Sequence, residues 1–335
     1  MPLGYFYRLR TGHRETTLSR RTLLLLRLGV FLAACVFLYA RFSGERDRDE
    51  AFVRWFSHAQ VPWGALALIF AMMLVNWGIE AWKWRILLRE VESLTFVRAF
   101  TAVIAGTSIG LITPNRVGEF AGRVLFLRPE HRVQGSFATL LGSIAQFVVT
   151  VLSGTVVLFF LPYQANSLEQ EALWQLVKWC ALLVGGATVF LYFSPGALER
   201  VFLAVPWLRR YERHVHVLSA FDRSRLISVA LLSALRYAVF TVQFVLLLNI
   251  IGGVPYPIAF TSVPVVFLVT TLIPTTALTE LGVRGSLAES LIAGGEPMGV
   301  VIASMIVWAV NIVIPAMAGA LILLVARIRT SEPMT

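Results

Sequence analysis

Thr113-Pro114-Asn115-Arg116-Val117-Gly118-Glu119-Phe120-Ala121-Gly122-Arg123 is the stretch on which the fold turns. It interrupts an apolar region, residues 99–134, with a proline, two arginines and a glutamate. A proline inside a helix removes a hydrogen bond and clashes with the preceding turn. The helix is therefore expected to break at Pro114 and restart in a new direction. A second stretch, Pro274-Thr275-Thr276-Ala277-Leu278-Thr279-Glu280-Leu281-Gly282-Val283-Arg284, breaks the region 258–294 in the same way. In both, the proline is followed by a glutamate and then by an arginine four residues later; the proline–glutamate spacing differs by one residue. A Glu–Arg pair at i,i+4 shares one helix face in the favoured order.

The surroundings of these breaks are those of a membrane protein. Hydrophobic residues make up 57% of the 335, and only 14% are charged, against about 25% in a soluble domain; mean hydropathy is +0.75. Residues 135–161, 226–251 and 298–325 are each long enough to cross a hydrocarbon core, which takes about 20 helical residues. At that depth every backbone group must be paired within the segment, so these are helices. No alternation suited to a barrel occurs. The run from Leu23 to Ala40 lacks a small-residue cleavage site and is followed by Arg41-Phe42, so it reads as a first membrane helix.

The net charge of +10 sits at the edges of apolar blocks. Arg8, Arg10, Arg14, Arg20 and Arg21 precede the first, and Arg327 and Arg329 follow the last, which is the pattern of cytoplasmic segments and excludes nucleic acid as the partner. On the same rule residues 162–177 lie outside and residues 194–225, rich in arginine, lie inside; Trp82-Lys83-Trp84-Arg85 reads as an interfacial girdle. Cys35 and Cys180 fall within apolar blocks and read as packing residues. His214 and His216 fall in the basic loop, no two histidines have metal-site spacing on a buried face, and no cofactor or metal is expected.

Regions 99–134 and 258–294 must each begin and end on one side for the count to close. They read as hairpins that enter and turn back, from opposite sides of the membrane; two further full spans from each is the alternative. The expected fold is an all-α integral membrane protein of about six spanning helices plus two re-entrant hairpins in an inverted-topology repeat. A basic tail, residues 1–22, would precede a single membrane domain, residues 23–326, with repeats over about 61–161 and 226–325 and a cytoplasmic tail at 327–335. The location is a bacterial-type cytoplasmic membrane with both termini cytoplasmic.

Ionisable residues at membrane depth normally face a cavity, a partner or a substrate. Arg123, Arg284 and Arg116 are expected to form a cationic centre for an anionic headgroup, with Glu119 and Glu280 holding them in place or exchanging a proton, and with Asn115, Pro114 and Pro274 shaping the breaks. Asn76, Glu80 and Arg236 are candidate cavity-lining residues, with snorkelling to the interface the alternative for Asn76 and Glu80; Arg236, Gln243, Asn249 and Asn311 read more readily as interhelical hydrogen bonds than as ligands. A bracing role for each Glu–Arg pair is the plainer alternative. Gly106-xxx-Gly110 and Gly118-xxx-Gly122 have the spacing that lets helices approach closely.

These motifs resemble the flippase-like membrane domain of lysylphosphatidylglycerol synthetases and its stand-alone relatives. The resemblance covers about residues 20–325. It rests on Trp82-Lys83-Trp84-Arg85, on Thr113-Pro114-Asn115-Arg116-Val117-Gly118-Glu119 with Arg123, and on Pro274 with Leu281-Gly282-Val283-Arg284. It departs at Thr279-Glu280 and Gly285, where many relatives carry glycines before the Leu-Gly-Val-Arg run and a glutamate after it. Only residues 327–335 follow the last apolar run, so the soluble aminoacyl-transferase domain and its synthase activity are not expected. The resemblance implies movement of anionic or headgroup-modified phospholipids, or of polyprenyl-phosphate carriers, between leaflets. Membrane lipids are the expected partner, with self-association left open. Two other readings are a scaffold acting through the basic loop 194–225 and an intramembrane headgroup enzyme. The second finds no H-E-x-x-H, nucleophile–base pair or aspartate cluster to support it, and an enzyme is not expected.

Overall fold

The computed structural model describes residues 62–113, 116–160, 167–205, 209, 212, 221–272, 284, 285 and 287–325. These residues are helical, with no strand among them. In chain order the helices are α1 (Trp63–Leu87), α2 (Phe96–Leu111), α3 (Gly118–Val124), α4 (Arg132–Phe160), α5 (Leu168–Phe193), α6 (Pro195–Ala204), α7 (Arg223–Gly252), α8 (Tyr256–Leu272), α9 (Pro297–Trp308) and α10 (Ile314–Val325).

Five helices are long and apolar enough to cross a bilayer: α1, α4 with the turn before it, α5, α7, and α9–α10 read together. They correspond to five of the six expected spans; the sixth, Leu23 to Ala40, lies outside the described residues. Two segments between the expected spans contain helix. Residues 168–177, expected to lie outside, are the first turns of α5, capped by the Ser167 hydroxyl and carrying Glu169 and Glu171 where the helix dipole favours negative charge. Within the basic segment 194–225, Pro195–Ala204 forms α6, opened by a proline in its first turn, with Phe202 edge-on against Phe137 of α4.

α2 has 16 residues and α8 has 17. At 1.5 Å per residue each covers about 25 Å, short of a full crossing. After α2 the backbone turns through Arg116, which adopts a left-handed φ of 58°, a conformation costing roughly 1–3 kcal/mol in a non-glycine residue. Thr113 holds the turn: its hydroxyl accepts from the Gly118 N–H at 2.8 Å and reaches the Ile109 carbonyl at 3.1 Å. α3 then folds back along α2. A side chain on Gly122 would place its Cβ 2.6 Å from the Gly106 Cα, and one on Gly118 would meet the Ile109 carbonyl. The two glycine pairs are thus the contact surface of a helical hairpin, as their spacing predicts.

The halves of the chain exchange partners. α1 packs on α7, α10 packs on α2, and α4 packs on α8. In the last two contacts a glycine of the long helix meets the short one: Gly319 backs onto the Ile104 carbonyl, and Gly154 onto Leu268 and the Pro264 carbonyl. Between α9 and α10 the helix widens into a π-turn over Ala309–Val313.

Candidate functional site

Glu80 is the centre of the charged interior. It projects from α1 about 10 Å before that helix ends and is 4% exposed. One carboxylate oxygen lies 2.7 Å from Arg123 Nη1, and the other lies 2.7 Å from Lys83 Nζ and 3.3 Å from Arg236 Nη1. Arg123, on α3, also reaches Glu119 at 3.2 Å, and Glu119 pairs with Arg116 at the turn. The i,i+4 pair expected from sequence therefore exists, and it is one link in a longer chain of charges. Four cations face two carboxylates, a formal excess of two positive charges among these six groups. Single-partner loss from a buried network of this kind is strongly destabilising, because the remaining charge cannot be rehydrated.

Local structure explains the placement. Glu80 and Lys83 are one turn apart on α1, so both fall on the face turned to α3 and α4. Lys83 is 1% exposed and also donates to the Gly142 carbonyl of α4 at 3.2 Å. Beside it, Trp84 is buried and donates its indole N–H to Thr139 at 2.8 Å. The expected interfacial girdle is thus corrected: Trp82 is exposed with Arg85 over its ring, whereas Lys83 and Trp84 point inward. Helix periodicity divides four adjacent residues between two environments.

The network lines a cavity of about 320 Å³, walled by Glu80, Lys83, Arg116, Glu119, Arg123 and Arg236 and by polar groups of α4. An adjoining chamber of about 140 Å³ shares Arg116, Gln146, Thr150, Arg236 and Thr271 with it and adds Asn76, Trp77, Tyr237, Arg284 and Asn311. Arg236, near the middle of the 30-residue α7, stands between the two, its guanidinium 5.2 Å from the centre of the Trp77 ring.

The structure thus brings Glu80, Glu119, Arg116, Arg123 and Arg236 into direct contact. Asn76 and Arg284 line the adjoining chamber. Pro114, Asn115, Pro274 and Glu280 lie outside the described residues. Sequence reading missed Lys83; its i,i+3 spacing from Glu80 was the available signal. Gln243 and Asn311 form the interhelical hydrogen bonds expected of them, and Asn249 instead closes the end of α7 on the Val254 carbonyl.

A helical membrane protein with a charged cavity among its spans is the class these features define. The family model described as the lysylphosphatidylglycerol synthase TM region matches residues 24–279, and the chain belongs to that family, a membrane domain of lipid-related proteins. No curated protein and no solved structure matches the chain.

Proposed function

We propose that the chain is a lipid transporter that moves an anionic phospholipid or a polyprenyl-phosphate-type lipid between leaflets, leaving its headgroup covalently unchanged. One observation carries this reading: a cavity among membrane-spanning helices whose ion-pair network, among the described residues, holds two more cations than carboxylates. Guanidinium forks match phosphate oxygens in geometry, and a headgroup there would replace hydration lost on leaving the interface while its acyl chains stay in lipid.

The order of elements supports an alternating mechanism. A long helix, a short helix, a second short helical stretch and a long helix occur in α1–α4 and again from α7 to α10, where residues 287–291 supply the second short stretch. The reciprocal packing of α10 on α2 and of α4 on α8 is what a pseudo-two-fold relation between inverted repeats would produce. We read the short members as re-entrant hairpins, the membrane as a bacterial-type cytoplasmic membrane, and both termini as cytoplasmic.

The test is transfer of acyl-labelled phosphatidylglycerol across liposomes containing the purified full chain, followed by bleaching of the outer leaflet. Transfer above that of protein-free vesicles is expected, with Arg284→Ala reducing it at least about tenfold, the scale of one charge-assisted contact. Wild-type transfer no faster than the lipid background, or full transfer by an Arg123→Ala/Arg284→Ala double variant, would sink the reading. Mass spectrometry of recovered lipid should find the headgroup intact.

A further inference from the structure

Glu80 and Glu119 share Arg123 but hold it differently. The guanidinium fork is divided: Nη1 lies 2.7 Å from Glu80, and Nη2 lies 3.2 Å from Glu119. Glu80 is the more buried partner, with a side chain 6% exposed, and it also holds Lys83 and Arg236. The Glu119 side chain is 16% exposed and stands on the wall of the larger cavity. Breaking a buried ion pair leaves a charge that cannot be rehydrated, whereas a pair open to water is worth little. Glu119, at the cavity, lies nearer the second case. Of the two carboxylates it is the one that can leave.

Its departure would not scatter the cations it pairs with. Arg123 stays fixed through Glu80 at the other prong of its fork. Arg116 is positioned by its backbone: its N–H donates to the Thr113 carbonyl at 3.2 Å, and the Thr113 hydroxyl accepts from the Gly118 N–H at 2.8 Å. The turn that carries Arg116 therefore closes without Glu119. The Glu119 carboxylate lies between two guanidinium groups, those of Arg116 and Arg123. Carboxylate and phosphate oxygens both fit a guanidinium fork, so an anion entering the cavity competes with Glu119 for one position.

Gly110 is what seats the carboxylate there. The three nearest atoms that a Cβ on Gly110 would meet, Cγ, Oε1 and Cδ, all belong to the Glu119 side chain. That side chain lies in a slot on α2 that exists because residue 110 has none of its own. Gly122, by contrast, meets the backbone of Gly106. One glycine of the hairpin thus serves helix approach, and the other serves the placement of a charge.

We propose that Glu119 is an internal counter-ion that stands in for the ligand. It occupies the oxyanion position between Arg116 and Arg123 until a phosphate enters the cavity and displaces it from the Gly110 slot. The exchange keeps both cations paired throughout, so neither is left with an uncompensated charge. The proposal deepens the transport reading and rests on it for the origin of the phosphate, but the exchange is a binding property and is measured without transport.

Thermal midpoints of the detergent-solubilised full chain, titrated with short-chain phosphatidylglycerol and separately with inorganic phosphate, provide the test. Glu119→Gln removes the competing charge. Its half-maximal stabilisation is expected at about tenfold lower concentration than in the wild-type chain, the scale of one charge-assisted contact. Without ligand its midpoint should lie below wild type, and at saturation the two should converge, because the lost pair belongs to the free state alone. Gly110→Ala keeps every charge and closes the slot, so it should lower the half-point in the same direction. In a Glu119→Ala background Gly110→Ala should leave the half-point unchanged, since the side chain it displaces is gone. A purely bracing Glu119 gives another pattern: Glu119→Gln lowers the free and saturated midpoints equally, with an unchanged or raised half-point. That pattern, or a Gly110→Ala half-point equal to wild type, would overturn the proposal, and the second result does not depend on Glu119→Gln folding. The expected pattern with inorganic phosphate supports the exchange and assigns the position to a soluble phosphate; the same pattern with the lipid alone supports it and assigns the position to a membrane lipid. No stabilisation of any of these chains by either compound would overturn the exchange. Tightened binding by Glu119→Gln and Gly110→Ala without transfer by the wild-type chain in liposomes would refute transport and leave the exchange standing.

Discussion

At Glu80 one carboxylate holds three cations, and this fixes the order in which substitutions should hurt. Glu80→Gln removes the shared partner of Lys83, Arg123 and Arg236 and should cost about 3–5 kcal/mol, the penalty for uncompensated buried charge. Lys83→Met removes one cation of three and keeps most of the buried stem, so its loss should be clearly smaller. The fall in thermal midpoint in one detergent checks this order; a larger loss for Lys83→Met would mean that the Gly142 hydrogen bond, and not the ion pair, is what Lys83 supplies. Glu80 was legible as a candidate because charge within an apolar run is rare. Its bond to Arg123 was not, because 43 residues separate the two and no local pattern reports so distant a contact.

The hairpin of α2 and α3 depends on the absence of side chains where the two helices touch. Gly122→Ala would put a methyl group against the Gly106 backbone, and overpacking of this kind costs about 1–3 kcal/mol. Gly186→Ala on α5 meets nothing within 4 Å and should be neutral or stabilising by up to about 1 kcal/mol. Comparing the two midpoints separates loss of fit from the general effect of adding a methyl group to a helix. Equal responses would show that the hairpin contact is not tight. The small-xxx-small spacing predicted this contact well, since it is a property of one short segment. The start of α5 was not legible from the charge rule, which sees only lysine and arginine, whereas the Ser167 cap and the glutamates beside it set that start.

Across the whole molecule, the two halves are held together where Gly154 meets α8 and Gly319 meets α2. Gly154→Leu and Gly319→Leu each force a long helix away from the short helix of the other half. Both should lower the thermal midpoint by more than the same change at Gly186 and slow lipid transfer in liposomes. Normal transfer by both would mean that the reciprocal contacts are incidental. This exchange of partners could not be read from the chain, because it is a relation between segments more than 100 residues apart and both sides present only apolar residues. The paired breaks near Pro114 and Pro274 pointed toward it without specifying which helices meet.

By itself the sequence determined that this chain belongs in a bilayer, where most of its long helices run, and that its helical regularity is interrupted after residue 111. Each follows from composition, length and proline chemistry within one segment. Tertiary structure alone decided that Lys83 faces inward, that Glu80 joins α1 to α3 and α7, and that Asn311 donates to Gln243. Those outcomes depend on which face of each helix meets which neighbour. In a chain that is apolar on nearly every face, hydrophobic pattern does not choose a face; the buried charges and amides choose it, because each must find its partner away from water.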